Sequence, residues 1–352
     1  MKQCIEWFHH HRKLILIALG LFVVSVVVIA VTMYQYVLSV EDERFMLQKP
    51  QYIQVKQGDT LYHLLQRFDE QNLLENSWRF KLLVRLKRDY SDIKQGYYRI
   101  APDDTVKKVL TDIVEGKEFL FLITFIEGIR TQDAVSLLAQ AENMTHELDS
   151  EMPLLEQLKI DKNHSEGLFF PDTYSYRMGE LDKNILIHAH QRLKDELNEA
   201  WSKRDADLPY KSAYEMLIMA SIIEKETSVE AERNLVSAVF VNRLRKRMRL
   251  QTDPTVIYGM GDRYQGNIRR KDLLEKTAYN TYKINGLPPT PIALVGRASL
   301  QAAAHPAQVD YLYFVSKNDG SHYFSNNLRD HEAAVDQYQR NRKSRNKSKK
   351  TK

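Results

Sequence analysis

The chain of 352 residues is long enough for one large or two moderate domains, and its 43% hydrophobic and 28% charged residues are typical of a folded protein. The net charge of +5 comes from the end of the chain, because the tail from Arg340 holds eight basic residues and leaves −3 for the rest. The folded part is therefore not basic, which argues against nucleic acid as a partner.

The cysteine and histidine patterns argue against a metal centre. The single cysteine, Cys4, excludes an intramolecular disulfide and a site built from several cysteines. His188 and His190 stand two residues apart in a helical segment and so face different sides of it. We expect no metal ion and no cofactor.

Residues 14–36 are predicted to form a single transmembrane anchor. The run from Leu14 to Met33 is apolar apart from one glycine and two hydroxyl residues, and it is about as long as a bilayer-spanning helix. A cleaved signal peptide is the alternative, but the run is longer than a usual signal-peptide core and no small-x-small cleavage site follows it. Basic residues lie in the tail 1–13, so we expect this tail in the cytoplasm and the remainder outside.

A small mixed domain is predicted over residues 52–117, after a polar linker over 37–51. Its opening, a strand followed by Gly-Asp-Thr-Leu and a helix, resembles a LysM glycan-binding module. Glycan contact and a role as a spacer both remain open for this LysM-like part. The predicted elements are a strand and a helix within Tyr52–Phe68, a helix over Ser77–Leu86, the strand GYYRI and a helix over Pro102–Val114.

Residues 118–340 are predicted to form a larger mixed domain, which gives the chain an α+β fold class. Residues Ser165–Tyr176 and Gln251–Gly266 have no regular period and are predicted to be irregular, and the basic tail 341–352 is predicted to be disordered. The predicted elements are a strand within Glu118–Glu127, helices over Thr131–Glu142, Met152–Ile160, Lys183–Arg204, Ala231–Arg245 and Arg297–His305, a hairpin of Tyr311–Val315 with His322–Ser325, and a last helix ending near Arg340.

A central helix places a carboxyl at the end of an apolar face. Leu217, Ser221 and Glu224 lie on one side of this helix, so the Glu224 carboxyl is expected to be partly desolvated, which raises a carboxyl pKa. An acid that keeps its proton near neutral pH can act as a general acid, whereas a surface carboxylate paired with a basic neighbour is the alternative. Asn242 ends the apolar stripe of the next helix in the same way, so both side chains are expected to point into one cleft.

Several sequence blocks in this region occur in a specific order. They are EGLFFPDTY from Glu166, SIIEKETSVEAER, VFVNRL, LQTDPTVIYG, AYNTY and GLPP. The chain resembles the YceG-like family of endolytic murein transglycosylases from about Tyr52 to about Tyr338. In that family the first Glu of the EKET block is the catalytic acid/base, which corresponds to Glu224. The residues expected to contact substrate are Glu166, Phe170, Asp172, Tyr174, Asn242, Gln251, Asp253, Tyr279 and Asn280.

The resemblance implies a lyase in the bacterial inner membrane with its catalytic part in the periplasm. Such an enzyme cleaves the MurNAc–GlcNAc bond within nascent peptidoglycan strands, forms 1,6-anhydro-MurNAc ends and limits strand length. The 6-hydroxyl of the sugar is the nucleophile, so one carboxyl suffices. The partners that the resemblance implies are peptidoglycan strands, the inner membrane, penicillin-binding proteins and other cell-wall synthesis enzymes.

Other functions remain as alternatives. A hydrolase would need a second carboxyl beside Glu224, with Asp253, Glu226 or Asp172 as candidates. A non-catalytic peptidoglycan-binding scaffold would tolerate the loss of Glu224. A membrane-anchored peptidase is disfavoured, because the chain has no serine-protease motif and no HExxH sequence.

Overall fold

The computed structural model describes residues 2–74, 77–87, 90 and 92–340. The chain divides into two compact units, Met1–Leu120 and Phe121–Lys352. Within the described ranges, α-helices are combined with three separate two-stranded antiparallel sheets, which is the mixed α+β architecture expected from the sequence. The basic tail 341–352, predicted to be disordered, lies outside the described residues.

The first unit begins with the long helix α1 (Lys2–Leu38). A candidate membrane span, Leu14–Asp42, runs from this helix into the turn that follows; its hydropathy is 3.3, and its most apolar window is not buried against the rest of the unit. An exposed apolar surface of this length is typical of a helix in contact with lipid. The predicted anchor 14–36 lies within this span.

The remainder of the first unit pairs two strands around short helices. Ile53 of the first strand lies opposite Tyr98 of the second, and both side chains are buried. The last helix begins later than predicted, because the Thr105 side chain accepts the N–H of Lys108 and so caps it. The elements are β1 (Gln51–Val55), α2 (Leu61–Glu70), α3 (Ser77–Leu86), β2 (Gly96–Ile100) and α4 (Val106–Glu115).

Part of the segment predicted as the linker 37–51 packs into this unit's core. Val40 and Phe45 are buried with the helices of the unit, and residues 39–42 form a 3₁₀ turn. The buried carboxyl of Glu41 accepts hydrogen bonds from Lys87 at 2.8 Å and from Tyr90 at 2.7 Å. Glu41 is therefore a buried carboxylate that is paired inside the unit, which its residue type alone does not reveal.

The second unit contains the larger core. Thr173–Tyr176, predicted to be irregular, forms a strand because it pairs with residues 121–124 in antiparallel register. The predicted hairpin is present near the end of the unit and is followed by the last α-helix. The elements are β3 (Phe121–Thr124), α5 (Thr131–Ala139), α6 (Leu154–Gln157), β4 (Thr173–Tyr176), α7 (Asp182–Lys203), α8 (Ala213–Glu226), α9 (Arg233–Arg245), α10 (Asp253–Met260), α11 (Arg270–Leu274), α12 (Arg297–Ala304), β5 (Tyr313–Ser316), β6 (His322–Ser325) and α13 (Leu328–Val335).

Helix α8 lies at the centre of this core. Every residue from Met216 to Ile223 is buried, and the helix packs against α7, α9 and α12. A helix that is apolar on all sides is stable only inside a protein. Its polar end, from Glu224 onward, is thereby held in a fixed position where the core ends.

Residues 253–260, predicted to be part of an irregular segment, form α10. Asp253 stands first and Pro254 second, so the Asp-Pro pair is a helix start here. Proline is favoured in the first turn because its missing N–H has no intrahelical partner there, and an acidic residue is favoured by the helix dipole.

Candidate active site

The carboxyl of Glu224 is held by the backbone of a distant segment. Glu224 is half-buried in the last turn of α8, and its Oε2 accepts a hydrogen bond from the N–H of Gly296 at 3.0 Å. One turn earlier, the buried hydroxyl of Ser221 accepts the N–H of Ile292, also at 3.0 Å. The helix face predicted from the sequence therefore holds residues 292–296 and fixes the carboxyl at its end.

A tight turn at Gly128 covers another side of Glu224. Gly128 has φ +79°, in the left-handed region, and a side chain there would lie 3.8 Å from Cγ of Glu224 and 3.6 Å from Cδ of Lys225. The Gly128 N–H donates to the carbonyl of Leu294 at 2.9 Å, and Nζ of Lys225 donates to the Gly128 carbonyl at 2.9 Å. Glycine at this position lets the turn adopt its conformation beside the carboxyl.

A second carboxyl, that of Glu127, lies in the same place. A β-carbon added to Gly296 would overlap the Glu127 carboxylate, so this carboxylate occupies the side-chain space of the residue that donates to Glu224. Burial first, and then the charge of Glu224, raise the pKa of Glu127, whereas Arg233 lowers it. Two carboxyls therefore approach each other at Gly296.

Sequence reasoning missed Glu127 because it assigned residues 118–127 to one strand. The strand β3 ends at Thr124, so Glu127 stands in the turn that follows. The signal that could have found it is Gly128, because glycine marks a turn after the apolar strand and functional side chains are concentrated in such connections.

Glu226 has different surroundings from Glu224, as their spacing on the helix predicts. Its carboxylate accepts a hydrogen bond from the hydroxyl of Thr252. Burial raises the pKa of Glu226 to about 7, and the charge of Asp253 acts in the same direction, whereas the Thr252 bond and His322 oppose it. Glu226 therefore belongs to a second polar cluster.

This second cluster lines a cleft of about 500 Å³. Of the residues predicted to contact substrate, Gln251 and Asp253 lie here. Oδ1 of Asp253 accepts from the Tyr282 hydroxyl at 2.7 Å, and Oε1 of Gln251 accepts from Arg243 at 3.3 Å. The cleft thus combines exposed amide and carboxylate groups with aromatic walls, a composition typical of ligand pockets.

The pKa of Glu226 predicts a loss of stability at alkaline pH. The folded protein keeps this proton to a higher pH than the unfolded chain, so raising the pH from about 5 to about 8 is expected to lower the free energy of unfolding by about 2–3 kcal/mol. The change Glu226→Gln, which carries no proton to lose, should remove most of this dependence. Urea unfolding of both proteins in detergent measures it, followed by Trp201 fluorescence after the other two tryptophans are changed to phenylalanine. Equal losses in the two proteins would contradict this prediction.

Most of the predicted site residues in the loop from Glu166 to Tyr174 form hydrogen bonds or pack within the protein. Glu166 is buried, and its Oε1 accepts the N–H of Thr131, the first residue of α5, at 2.9 Å. Burial raises the pKa of Glu166. It therefore serves as a buried cap of α5.

The other residues of this loop are similarly engaged. Phe170 is a core residue that is 5% exposed, and its carbonyl accepts the Tyr174 hydroxyl at 2.6 Å. The half-buried Asp172 pairs with Arg192 at 2.8 Å. Asp172 is thus the member of this loop whose carboxylate remains closest to solvent.

Asn242, Tyr279 and Asn280 also bond within the protein. Nδ2 of Asn242 donates to the carbonyl of Val309 at 2.7 Å, and Asn242 lines a recess different from the surroundings of Glu224. The common cleft expected for Asn242 and Glu224 is therefore not found. The hydroxyl of Tyr279 pairs with that of Thr290 at 2.8 Å.

Asn280 forms hydrogen bonds that hold its own loop together. It is 1% exposed, and its Nδ2 lies within hydrogen-bonding distance of the carbonyls of Asp272, Leu273 and Glu275. Its Oδ1 accepts the N–H of Tyr282 at 3.0 Å. Both ends of this amide are used, so Asn280 stabilises the loop that carries Tyr282 to the cleft.

Comparisons with known proteins place this arrangement in a family. The model of the YceG-like family matches residues 53–337. An endolytic murein transglycosylase of Bacillus subtilis (strain 168) is 30% identical over 306 residues, which cover 81% of this chain and 84% of the relative. Another, of Streptococcus pneumoniae serotype 2 (strain D39 / NCTC 7466), is 24% identical and matches over 80% of this chain and 57% of its own length.

A crystal structure of a yceG-like protein from Listeria monocytogenes is 28% identical, with a TM-score of 0.48, and its match covers 82% of this chain and all of that one. The residues that match the family model run from β1 to α13 and include Glu127, Glu224 and Gly296. The chain belongs to the YceG-like family.

Proposed function

We propose that the protein is an endolytic peptidoglycan lyase, a lytic transglycosylase that cleaves the MurNAc–GlcNAc bond within nascent glycan strands. Relatives in its family carry the name endolytic murein transglycosylase. The observation that carries the proposal is the carboxyl of Glu224, which is fixed by Gly296 at the end of a buried helix. The resemblance of its EKET block to the family's acid/base motif supports the same residue.

In this mechanism Glu224 acts twice. Its protonated form donates a proton to the oxygen that leaves the anomeric carbon of MurNAc, and its ionised form then takes the proton of the sugar's own 6-hydroxyl. That hydroxyl attacks the anomeric carbon and closes the 1,6-anhydro ring. The nucleophile is part of the substrate, so its high effective concentration replaces a bound water. Cuts within strands limit strand length.

The cleft beside Glu226 is proposed to bind part of the glycan strand. Gln251 is exposed, and Asp253 is exposed with its carboxylate already oriented by Tyr282. Amide and carboxylate groups beside aromatic rings can bond sugar hydroxyls and acetamido groups while the rings cover apolar sugar faces. Glu166, Asn242 and Asn280 bond within the protein, which supports a role for these three residues in holding the site together.

The remaining parts of the proposal concern location and partners. Helix α1 anchors the chain in the bacterial inner membrane as a single span, with its N-terminus cytoplasmic and the second unit periplasmic; support comes from the apolar stretch and the basic residues before it. The LysM-like part is proposed to contact glycan, supported by the β1–α2–α3–β2 order with paired strands. Penicillin-binding proteins and other synthesis enzymes are the proposed protein partners.

Mass spectrometry of products tests the proposed reaction. Uncrosslinked glycan strands are incubated with the full chain in detergent, and we expect internal fragments lighter by one water than hydrolysis products. Fragments with normal reducing ends would instead indicate a hydrolase, for which Glu127 is a candidate second carboxyl because its pKa is coupled to Glu224. Strand binding without cleavage would indicate the scaffold alternative.

A further inference from the structure

Arg243 places a buried positive charge in the wall of the cleft beside Glu226. The residue belongs to α9 and is 8% exposed. Its Nε donates to the carbonyl of Leu312 at 2.7 Å, and its Nη1 donates to the carbonyl of Leu250 at 2.9 Å. These bonds join the guanidinium to two separate segments and fix its position in the wall of the cleft.

The third nitrogen of this guanidinium is not used within the fold. Nη2 has no hydrogen-bond partner among the residues that the structure describes, and it is not one of the enclosed side-chain nitrogens that lack a partner. Since Arg243 lines the cleft, Nη2 is left to face it. The five N–H groups of arginine lie in one plane, so the two on Nη2 can bond a ligand while the other bonds are kept.

The charge of Arg243 has no carboxylate partner in the described part of the chain. Burial lowers the pKa of Arg243, and the influences that oppose burial come from Tyr313 and Tyr282, with no aspartate or glutamate among them. The guanidinium lies over the Tyr313 ring at 5.0 Å. Buried charges in proteins are ordinarily paired, so this position favours an anion that comes from outside the fold.

The two carboxyls of the cleft are bonded to other groups. Asp253 accepts from Tyr282, and Glu226 accepts from Thr252. Asp253 is exposed, so water and salt screen its charge. Burial raises the pKa of Glu226 to about 7, so this carboxyl is protonated in about half of the molecules at neutral pH. The guanidinium therefore remains open to a third carboxylate.

A second donor stands beside Arg243. Oε1 of the exposed Gln251 accepts from Nη1 at 3.3 Å, which fixes the orientation of this amide. Its Nε2 has no hydrogen-bond partner among the described residues. An arginine nitrogen and an amide nitrogen side by side suit the two oxygens of a carboxylate, because each oxygen accepts hydrogen bonds.

Peptidoglycan offers carboxylates close to the bond that is cut. Each MurNAc carries a lactyl carboxyl, which is either free or joined by an amide to a short peptide with free carboxyls of its own. Glu226 at the cleft lies two residues from Glu224 on α8. An extended peptide spans about 3.3–3.6 Å per residue, so a peptide carboxylate can reach the cleft from a sugar held at Glu224, and a lactyl carboxylate can reach it from a neighbouring sugar.

We propose that this cleft is a carboxylate subsite, in which Nη2 of Arg243 and the amide of Gln251 bind a free carboxylate of the substrate. Arg243 is a binding residue and takes no part in proton transfer. The inference rests on the proposed function for the identity of the substrate, but a preference for carboxylate over carboxamide exists whether or not the protein cleaves glycan.

Small muramyl ligands test this preference without cleavage. MurNAc carries the lactyl carboxylate, whereas MurNAc-L-alanyl-D-isoglutamine carries a peptide carboxylate and has its lactyl group in an amide; each acid is compared with its carboxamide. The ligands are titrated into the full chain in uncharged detergent, and the ¹³C ring resonance of Tyr313, assigned from Tyr313→Phe, reports the Kd and the place of binding. We expect at least one acid to bind about tenfold more tightly than its amide, and the acid that does so identifies the source of the carboxylate.

The change Arg243→Lys assigns the preference to the guanidinium. A lysine ammonium keeps the charge and can bond the carbonyl of Leu250, but it has no planar fork to offer the cleft. We expect the acid preference to fall to about threefold or less, whereas Arg245→Lys, at an exposed arginine of the same helix, should keep it. An unchanged preference in folded Arg243→Lys overturns the proposal. If this variant does not fold, the comparison of acids with amides on the unchanged protein decides.

The ligand titrations separate failure of this inference from failure of the proposed function. Equal Kd values of acid and amide in both pairs overturn the inference even if the protein releases anhydro-ended fragments, and so does the absence of binding by all four ligands. A clear acid preference in a protein that cleaves no glycan supports the carboxylate subsite and rejects the proposed reaction.

Discussion

Replacing Glu224 by glutamine is expected to lower the rate of anhydro-product formation by about a hundred- to ten-thousandfold. Glutamine has the same shape, and its Oε1 can still accept the N–H of Gly296, so the site should keep its structure. What the variant lacks is a proton to give to the leaving oxygen and a carboxylate to accept one from the 6-hydroxyl. Initial rates of release of anhydro-ended fragments from uncrosslinked strands measure the effect.

Two matched variants control this experiment. Glu151→Gln removes an exposed charge from the same unit and should keep the full rate. Glu226→Gln changes a carboxyl two residues away that lies in the cleft, and it should retain proton transfer even if strand binding weakens. A fully active Glu224→Gln protein would contradict the prediction, and an inactive Glu226→Gln protein beside it would move the acid/base into the cleft.

The elements that local pattern determines could be predicted from the sequence. The bounds of α3 and β6 are those predicted, and Ser221 and Glu224 lie on one face of α8, as their spacing implies. Helical period and turn residues act over a few positions, so they can be recognised in one chain. The strand β4 could not be recognised, because its four residues become a strand only by pairing with β3 about fifty positions earlier.

The same distinction applies to the site. Glu224 could be found because an apolar stripe ends on it. Glu127 could not, because nearly a hundred residues separate the two positions in the sequence and only the fold brings them together. Asn280 has the residue type expected for a sugar contact, but an amide that bonds sugar and one that bonds its own loop have the same signature in a sequence. Only the hydrogen-bond partners of the amide in the structure distinguish these two roles.

Phe170 has an aromatic ring that could equally belong to a sugar contact or to the core. Its replacement by alanine is expected to lower the free energy of unfolding by about 3–5 kcal/mol. The ring is 5% exposed in the core cluster that also contains Leu193 and Leu300, and it lies under the guanidinium of Arg192 at 5.3 Å. Removing it leaves a cavity that the packed helices cannot close. Urea unfolding in detergent reports the loss through Trp201, which packs against the same cluster, after the other two tryptophans are changed to phenylalanine.

The change Phe170→Leu separates packing from sugar recognition. Leucine keeps most of the apolar volume, so a core residue should lose only about 1 kcal/mol and the folded enzyme should keep its KM and kcat. A ring that stacks on a sugar would behave in the opposite way, because leucine offers no flat face: the protein would remain stable while KM rose. A retained KM in Phe170→Leu would therefore assign the Phe170 ring to the core.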